Sequence, residues 1–196
     1  MKVYGTRTSP FVRRVRVVAL ELGLPVELVD VSTEPGQAAL RAASPIWKMP
    51  VVEIDGEVIW DSHAIIDYLM ERHGHGPLRQ ISAHWRESNL SHAIDGALDA
   101  AINVFYLKRD GVEVAKIPYM VKQQERVANV LDWLSRALQN HHFTDDPRLG
   151  LSELALYSAL DWMKLRGAYP VDDSEVLRGF LAHHAGRASL AATIPG

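Results

Sequence analysis

Up to about residue 72 the apolar positions of this chain change period repeatedly; beyond residue 82 they keep a helical one. Val3 and Tyr4 read as a short strand closed by Gly5-Thr6-Arg7-Thr8. Ser9 then stands where an N-cap belongs, and Pro10 at the first helical position, where a missing N–H costs nothing. Val12, Val15, Val18, Ala19 and Leu22 follow at helical spacing, and Gly23 stops the helix. Pro25 to Val31 alternates as a strand, with Val26, Leu28 and Val29 set among Glu27 and Asp30. A helix is predicted around Gln37 to Ala43, before Ser44-Pro45. Val51-Val52-Glu53-Ile54 and Glu57-Val58-Ile59-Trp60 read as a hairpin about Asp55-Gly56. Asp61 or Ser62 then opens a helix through Ile65, Ile66, Leu69 and Met70. The predicted order is β-α-β-α-β-β-α.

His73-Gly74-His75-Gly76-Pro77 reads as a linker. After Ser82 no convincing strand pair follows. Ile94, Leu98, Ile102 and Phe105 repeat on one helical face, Tyr119 to Leu134 predicts a second helix, and Leu177 to Ala185 another. Leu151 to Leu165 is apolar all round, as a buried central helix is. The fold class expected is therefore α/β plus all-α: residues 1–76 as a small α/β domain and residues 82–196 as a helical one.

With 47% hydrophobic and 23% charged residues the chain has ordinary globular composition, and its net charge of −3 gives no bulk electrostatic case for nucleic acid or an anionic membrane. No apolar run reaches the length of a membrane span, and the first residues pass into a strand pattern without a signal-peptide pattern. The absence of cysteine excludes disulfides, thiolate metal sites and a cysteine nucleophile, and fits a cytoplasmic protein. His141-His142 and His183-His184 lack the i, i+4 spacing of a helical metal pair and read as solvated surface residues, so no metal is expected. Arg13, Arg14 and Arg16 form a basic cluster on the first helix, one of them in reach of a ligand carboxylate or a partner and the others solvated.

Three segments carry candidate chemistry. A cis Met49-Pro50 bond would free the backbone of Val51 or Met49 for an extended peptide ligand. Asp61-Ser62 at a helix start suits an amino-acid head group, with Ser62 donating to a carboxylate and Asp61 accepting from an ammonium. Lys48 offers a cation for a second carboxylate. Ser9, beside the positive end of the Pro10 helix, can donate its hydroxyl proton to an anion such as a thiolate; Tyr4, Thr6 and Thr8 are the competing hydroxyls.

In order and spacing these segments resemble cytosolic glutathione S-transferases over nearly the whole chain. Ser9-Pro10-Phe11-Val12-Arg13 is similar to the serine motif of the tau class and related bacterial members. Ser44-Pro45-Ile46-Trp47-Lys48-Met49-Pro50-Val51-Val52 is similar to the family's Asn-Pro-x-Gly-Lys-Val-Pro-x-Leu, with Trp47 where many members have glycine. Trp60-Asp61-Ser62 resembles its Glu/Asp-Ser element. Gly150-Leu151-Ser152-Glu153 stands for the Ser/Thr-x-x-Asp capping box, without its side-chain cap; the helix is expected to form all the same. Ser91 to Ala100 resembles a stretch of bacterial members.

The resemblance implies a thioredoxin-like N-terminal domain followed by a helical-bundle C-terminal domain, a homodimer, and glutathione as co-substrate. It implies that Ser9 holds the glutathione thiolate, that the Val51 backbone beside a cis Pro50 pairs the cysteinyl unit, that Asp61 and Ser62 hold the γ-glutamyl head, and that Lys48 approaches the glycyl carboxylate. Phe11, Ile102, Phe105 and Tyr106 are expected to wall the electrophile pocket. The function expected is transfer of glutathione to a small electrophile. The alternatives are a non-catalytic binding or regulatory protein on the same fold, or a glutathione-dependent isomerase, dehalogenase or peroxidase.

Overall fold

The computed structural model describes residues 1–195, which form two compact units: residues 1–78 with 185–195, and residues 79–184. The sequence reading gave the last residues to the helical part; by contacts they group with the N-terminal one.

In the first unit, β1 (Lys2–Gly5), α1 (Pro10–Glu21), β2 (Glu27–Asp30), α2 (Glu34–Ala43), β3 (Val51–Ile54), β4 (Glu57–Trp60) and α3 (Ser62–His73) build a four-stranded sheet and its helices. The strand order is β2-β1-β3-β4, with β1 and β2 parallel and the other two pairs antiparallel. Alternation decides the faces. Tyr4 and Val51 join Val31 and Leu40 in a core cluster on one side, while Val3 and Val52, fully buried, point to the other. The Asp55-Gly56 turn has positive φ at both central residues (52° and 84°), the conformation that matches hairpin twist. Helix α2 begins earlier than its apolar spacing indicates, because Thr33 caps it by accepting from the Gly36 N–H at 3.2 Å. At Gly36 a Cβ would fall 1.9 Å from the Asp30 carbonyl oxygen, so the close approach there admits only glycine.

The final segment, with the short α8 (Ala188–Ala191), is tied to α1. Arg13, expected on the surface, is 1% exposed; its Nε donates to Thr193 Oγ1 (3.3 Å) and its Nη2 to the Leu190 carbonyl (3.1 Å). Arg14 is buried as well, with its guanidinium 5.0 Å from the Phe11 ring centroid. The expectation that two of the three arginines are solvated fails: carbonyl and hydroxyl oxygens of the last residues replace water around Arg13. Glu21 accepts from Arg187 Nε and Nη2 at 2.6 and 2.8 Å, and from Ser189 Oγ.

The second unit is helical: α4 (His84–Arg109), α5 (Pro118–Ala137), α6 (Leu151–Arg166) and α7 (Glu175–His184), with 3₁₀ turns at Val114–Lys116 and Val171–Asp173. Helix α4 packs on α5 and α6 and buries Leu90, Ile94, Ala97, Leu98, Ala101 and Val104, a stripe at helical spacing. Helix α6 is buried from Ser152 to Leu160, as its all-round apolarity predicts.

A buried polar network holds the start of both α4 and α6. Arg79 Nη1 donates to Glu87 Oε1 at 2.5 Å and Nη2 to Glu153 Oε2 at 2.9 Å, all three side chains being 0–4% exposed. Glu153 Oε1 accepts from the Phe143 N–H at 2.9 Å, and the Arg79 N–H donates to the Leu149 carbonyl at 2.9 Å. This network explains Gly150, which opens α6 without a side-chain cap. A Cβ there would lie 2.2 Å from Arg79 Nη2 and 2.6 Å from Glu153 Oε2, so the guanidinium occupies the space of the capping side chain. The φ of −100° at Gly150 suits any residue; only the space demands glycine.

Gly150→Ser, which restores the capping residue in sequence, should therefore destabilise the protein by about 1–3 kcal/mol through overpacking. Urea unfolding should show a lower midpoint with an unchanged m-value. A second expectation concerns pH. Burial alone would raise the Glu21 carboxyl, but its bonds to Arg187 and Ser189 outweigh that and hold it below the usual range. A group lowered on folding stabilises above its unfolded pKa of about 4.3 and ceases to as pH falls through the folded one. The 185–195 segment should thus detach only at acid pH, and Arg187→Ala should move that transition upward, as read from the NMR signals of Leu190 and Ala192.

Candidate functional site

Three residues opposite one another across the sheet set the site. Tyr4 of β1 pairs with Val51 of β3, and Val51 with Trp60 of β4. The segments leaving this row are Gly5 to Ser9, Met49-Pro50, and Asp61-Ser62. All three sequence motifs therefore emerge at one end of the sheet.

The first segment is shaped by Gly5, where a Cβ would lie 2.3 Å from a Val12 methyl; glycine lets α1 lie close on β1. Ser9 caps α1: its Oγ accepts from the Val12 N–H at 3.3 Å. An accepted bond occupies a lone pair and leaves the hydroxyl proton available. Ser9 is half-buried. Thr6 Oγ1 lies 3.4 Å from Thr8 Oγ1 and 3.6 Å from Met49 Sδ, which brings the loop before α1 against the second segment. Tyr4 is directed elsewhere. Its hydroxyl donates to Glu53 Oε1 at 2.5 Å, and this bond, burial and the carboxylate's charge push its pKa up to about 12.

The Met49–Pro50 peptide bond is cis. Met49 is half-buried and precedes the strand, whereas Val51 is fully buried in an interior strand with partners on both sides. In antiparallel pairing the N–H and C=O of a residue point to the same neighbour, so the Val51 groups belong to the ladder and Met49 offers the backbone that lies outside it. Lys48 is exposed, and Ser44, at the end of α2, is buried. Trp47 is 62% exposed, with the Arg41 guanidinium 5.1 Å from its ring, and has φ of 52°. That conformation favours glycine, the residue the resemblance expects at this position.

Asp61 (φ 76°) caps α3: its Oδ1 accepts from His63 N–H at 2.8 Å and Ala64 N–H at 3.4 Å. Ser62, the first residue of α3, is 3% exposed, and the cap does not take its amide. Asp61 itself is exposed, with a carboxylate beside a helix N-terminus.

The apolar candidates divide between the units. Phe11 lies half-buried on α1. Ile102, Phe105 and Tyr106 share one face of α4; Phe105 meets Tyr106 and Trp162 edge-on at 5.4 and 5.6 Å, and Tyr106 is 44% exposed under Arg109. Trp162 was not legible as their neighbour, because it comes from another helix. An open depression of about 680 Å³ between Met1, Pro25 and the Asp55-Gly56 turn lies at the other end of the sheet from the three motifs.

His142 and His184 are buried, against the expectation of solvated histidines. They lie far from Ser9 in sequence and in the other unit.

Removing Trp47 should cost little stability for so large a side chain. The left-handed conformation costs an L-residue about 1–2 kcal/mol, and the exposed cation–π contact returns about 0.5–1. Trp47→Gly should leave urea-unfolding stability within about 1 kcal/mol of wild type or raise it, where truncating a buried tryptophan costs about 3–5.

Residues 3–77 match the family described as "Glutathione S-transferase, N-terminal domain". The chain is 26% identical over 175 residues, 87% of its length and 85% of the relative's, to the uncharacterized GST-like protein YibF of Escherichia coli (strain K12). It is 35% identical over 79 residues to glutathione S-transferase U6 of Arabidopsis thaliana, covering 40% of this chain and 35% of that relative. Among solved structures, a glutathione S-transferase from Methylobacillus flagellatus with GSH bound superposes with a TM-score of 0.82 at 26% identity, over 100% of this chain and 99% of that one.

Proposed function

We propose that this chain, a member of the glutathione S-transferase family through residues 3–77, binds reduced glutathione at the Tyr4–Val51–Trp60 end of its sheet and transfers it to a small electrophile as a glutathione transferase. The observation that carries this is the convergence of a hydroxyl at a helix start, an off-ladder backbone segment and a capped helix N-terminus at one sheet end. Strands lie about 4.8 Å apart, so β1 to β4 spans about 10 Å. A three-residue extended peptide has about that length.

The parts divide by chemistry. Met49 is the backbone partner for the cysteinyl unit, in preference to Val51, with Pro50 turning the chain beside it. Asp61 accepts from the γ-glutamyl ammonium through the oxygen its cap leaves open, and Ser62 donates to the carboxylate. Lys48 faces the glycyl carboxylate. Ser9 donates to the thiolate. Lowering a thiol pKa of about 8.5 by two units takes about 2.7 kcal/mol. A hydrogen bond to the anion supplies about 1.5–3, and the α1 dipole about 0.3–1. Tyr4, committed to Glu53, leaves that task to Ser9. For the electrophile, Phe11 on α1 offers apolar surface in the unit that holds Ser9, and Ile102, Phe105 and the exposed Tyr106 on α4 offer aromatic and apolar surface in the helical unit. Homodimer formation suits the exposed Val58 and Trp60 on the edge strand β4. Among the described residues no helix is long and apolar enough to cross a membrane.

Glutathione calorimetry and the pH profile of conjugation to a chromogenic aryl halide test this reading. Wild type should bind glutathione with release of the thiol proton. Ser9→Ala should still bind, raise the apparent thiol pKa by about 1–2 units, and lose roughly 10–100-fold in kcat/KM below that pKa. Thr8→Ala should leave the profile in place. An unchanged profile in Ser9→Ala would remove Ser9 from the role, and no binding at millimolar glutathione would overturn the function.

A further inference from the structure

The fold joins two histidine pairs that are distant in sequence. His141-His142 closes a tight turn in which Gln139 and His142 exchange both backbone bonds, at 2.8 and 2.9 Å, while Asn140 and His141 take φ of 49° and 68°. His183-His184 ends α7. The rings meet in a cluster: His141 stacks on His183 at 4.8 Å, and His142 and His184 stand edge-on at 5.1 Å. Gly179 makes room, since a Cβ there would fall 3.1 Å from His141 Cε1.

We infer that His142, His183 and His184 form a binding site for one divalent transition-metal ion of the zinc class, serving as a structural clip between the 139–142 turn and the end of α7. One ring nitrogen from each lies within 4.8 Å of the others. Zinc–nitrogen bonds of about 2.0–2.1 Å in a tetrahedron put ligand nitrogens about 3.3 Å apart. His183 is the exposed member at a helix end, so its side chain can close the remaining distance.

Three further observations fit an ion. His184 Nε2 lies 3.0 Å from the His141 carbonyl. A carbonyl only accepts, so Nε2 carries the proton and the lone pair is on Nδ1; a ligand imidazole is commonly oriented in this way, its other N–H on a carbonyl. His142, 5% exposed, has a buried Nδ1 with no hydrogen-bond partner. Glu153, whose charge acts on both His142 and His184, shares the single guanidinium of Arg79 with Glu87, which leaves one formal negative charge in excess in that buried network. Imidazole donors select zinc, copper, nickel or cobalt over magnesium and calcium. The exposed side leaves a fourth position for water. The ion has no part in the chemistry proposed at Ser9.

The test uses full-length, tag-free protein stripped with chelator, then titrated with Co²⁺ followed by visible absorption and with Zn²⁺ by calorimetry. One equivalent should bind, with the intense visible band of four-coordinate Co²⁺ displaced by Zn²⁺, and Zn²⁺ should raise the thermal midpoint. His183→Ala, an exposed change that spares the fold, should weaken binding at least about tenfold and abolish the thermal shift. His73→Ala, at the end of α3, should change neither. Absence of the Co²⁺ band at millimolar metal, or equal affinity in His183→Ala and wild type, would overturn the site. Glutathione binding is measured on the same samples, so failure of the clip is distinguishable from failure of the proposed function.

Discussion

The site depends on the register of three strands. Because Tyr4, Val51 and Trp60 stand in one row, the chain leaves β1, enters β3 and leaves β4 at the same edge of the sheet. A one-residue slip would turn every side chain of a strand to the other face. Val3 and Val52, now fully buried, would then move to the face that holds Tyr4, Val31 and Leu40. The same core that pays the entropy of folding thus brings the segments that carry Ser9, Met49 and Asp61 out at one end of the sheet. Each of these residues also has a local backbone duty: Ser9 and Asp61 cap helices, and Met49 precedes the cis peptide bond. A ligand bound at the proposed site would meet groups already fixed by folding, which would reduce the ordering that binding requires.

Buried charge is handled by the same economy in both units. Arg13 is surrounded by oxygens of the final segment, and Arg79 by two carboxylates. Neither contributes stability merely by being paired, since desolvation offsets much of the attraction. What they add is definition. Arg79 fixes the starts of α4 and α6 together with Phe143, and it does so in space that a capping side chain would otherwise fill.

The sequence shows most of the first unit plainly, because its signals are local: the Asp55-Gly56 turn, the Ser9-Pro10 helix start and the alternation in β3 each lie within a few residues. The alternating Pro25 to Val31 shortens to β2 over Glu27–Asp30, since pairing with the four residues of β1 sets its length. The cluster of three motifs is legible through its resemblance to a known family, not through spacing alone. What the sequence hides is contact over long separations. Arg13 with Thr193, Arg79 with Glu153, and His142 with His184 look like ordinary polar residues until the helices place them. Gly150 carries a faint signal, as a glycine where a cap belongs, but its reason lies in a guanidinium from elsewhere in the chain. Trp47 likewise stands out only as a departure from the glycine the resemblance expects; its left-handed backbone shows what a glycine would relieve there.

The division of the chain has a consequence for the order in which the protein is made. The first unit is discontinuous: residues 1–78 lack the segment that surrounds Arg13 and Glu21 until the final residues have been added. Folding during synthesis generally proceeds from the N-terminus, domain by domain, at about 5–20 residues per second. Here the segment that holds Ser9 leaves the ribosome early yet waits, through translation of the whole helical unit, for the oxygens that satisfy its buried guanidinium. The helical unit, contiguous in the chain, is under no such delay. The last unit to begin can therefore be the first to finish, and emergence of residues 185–195 becomes the step that completes the sheet-bearing half.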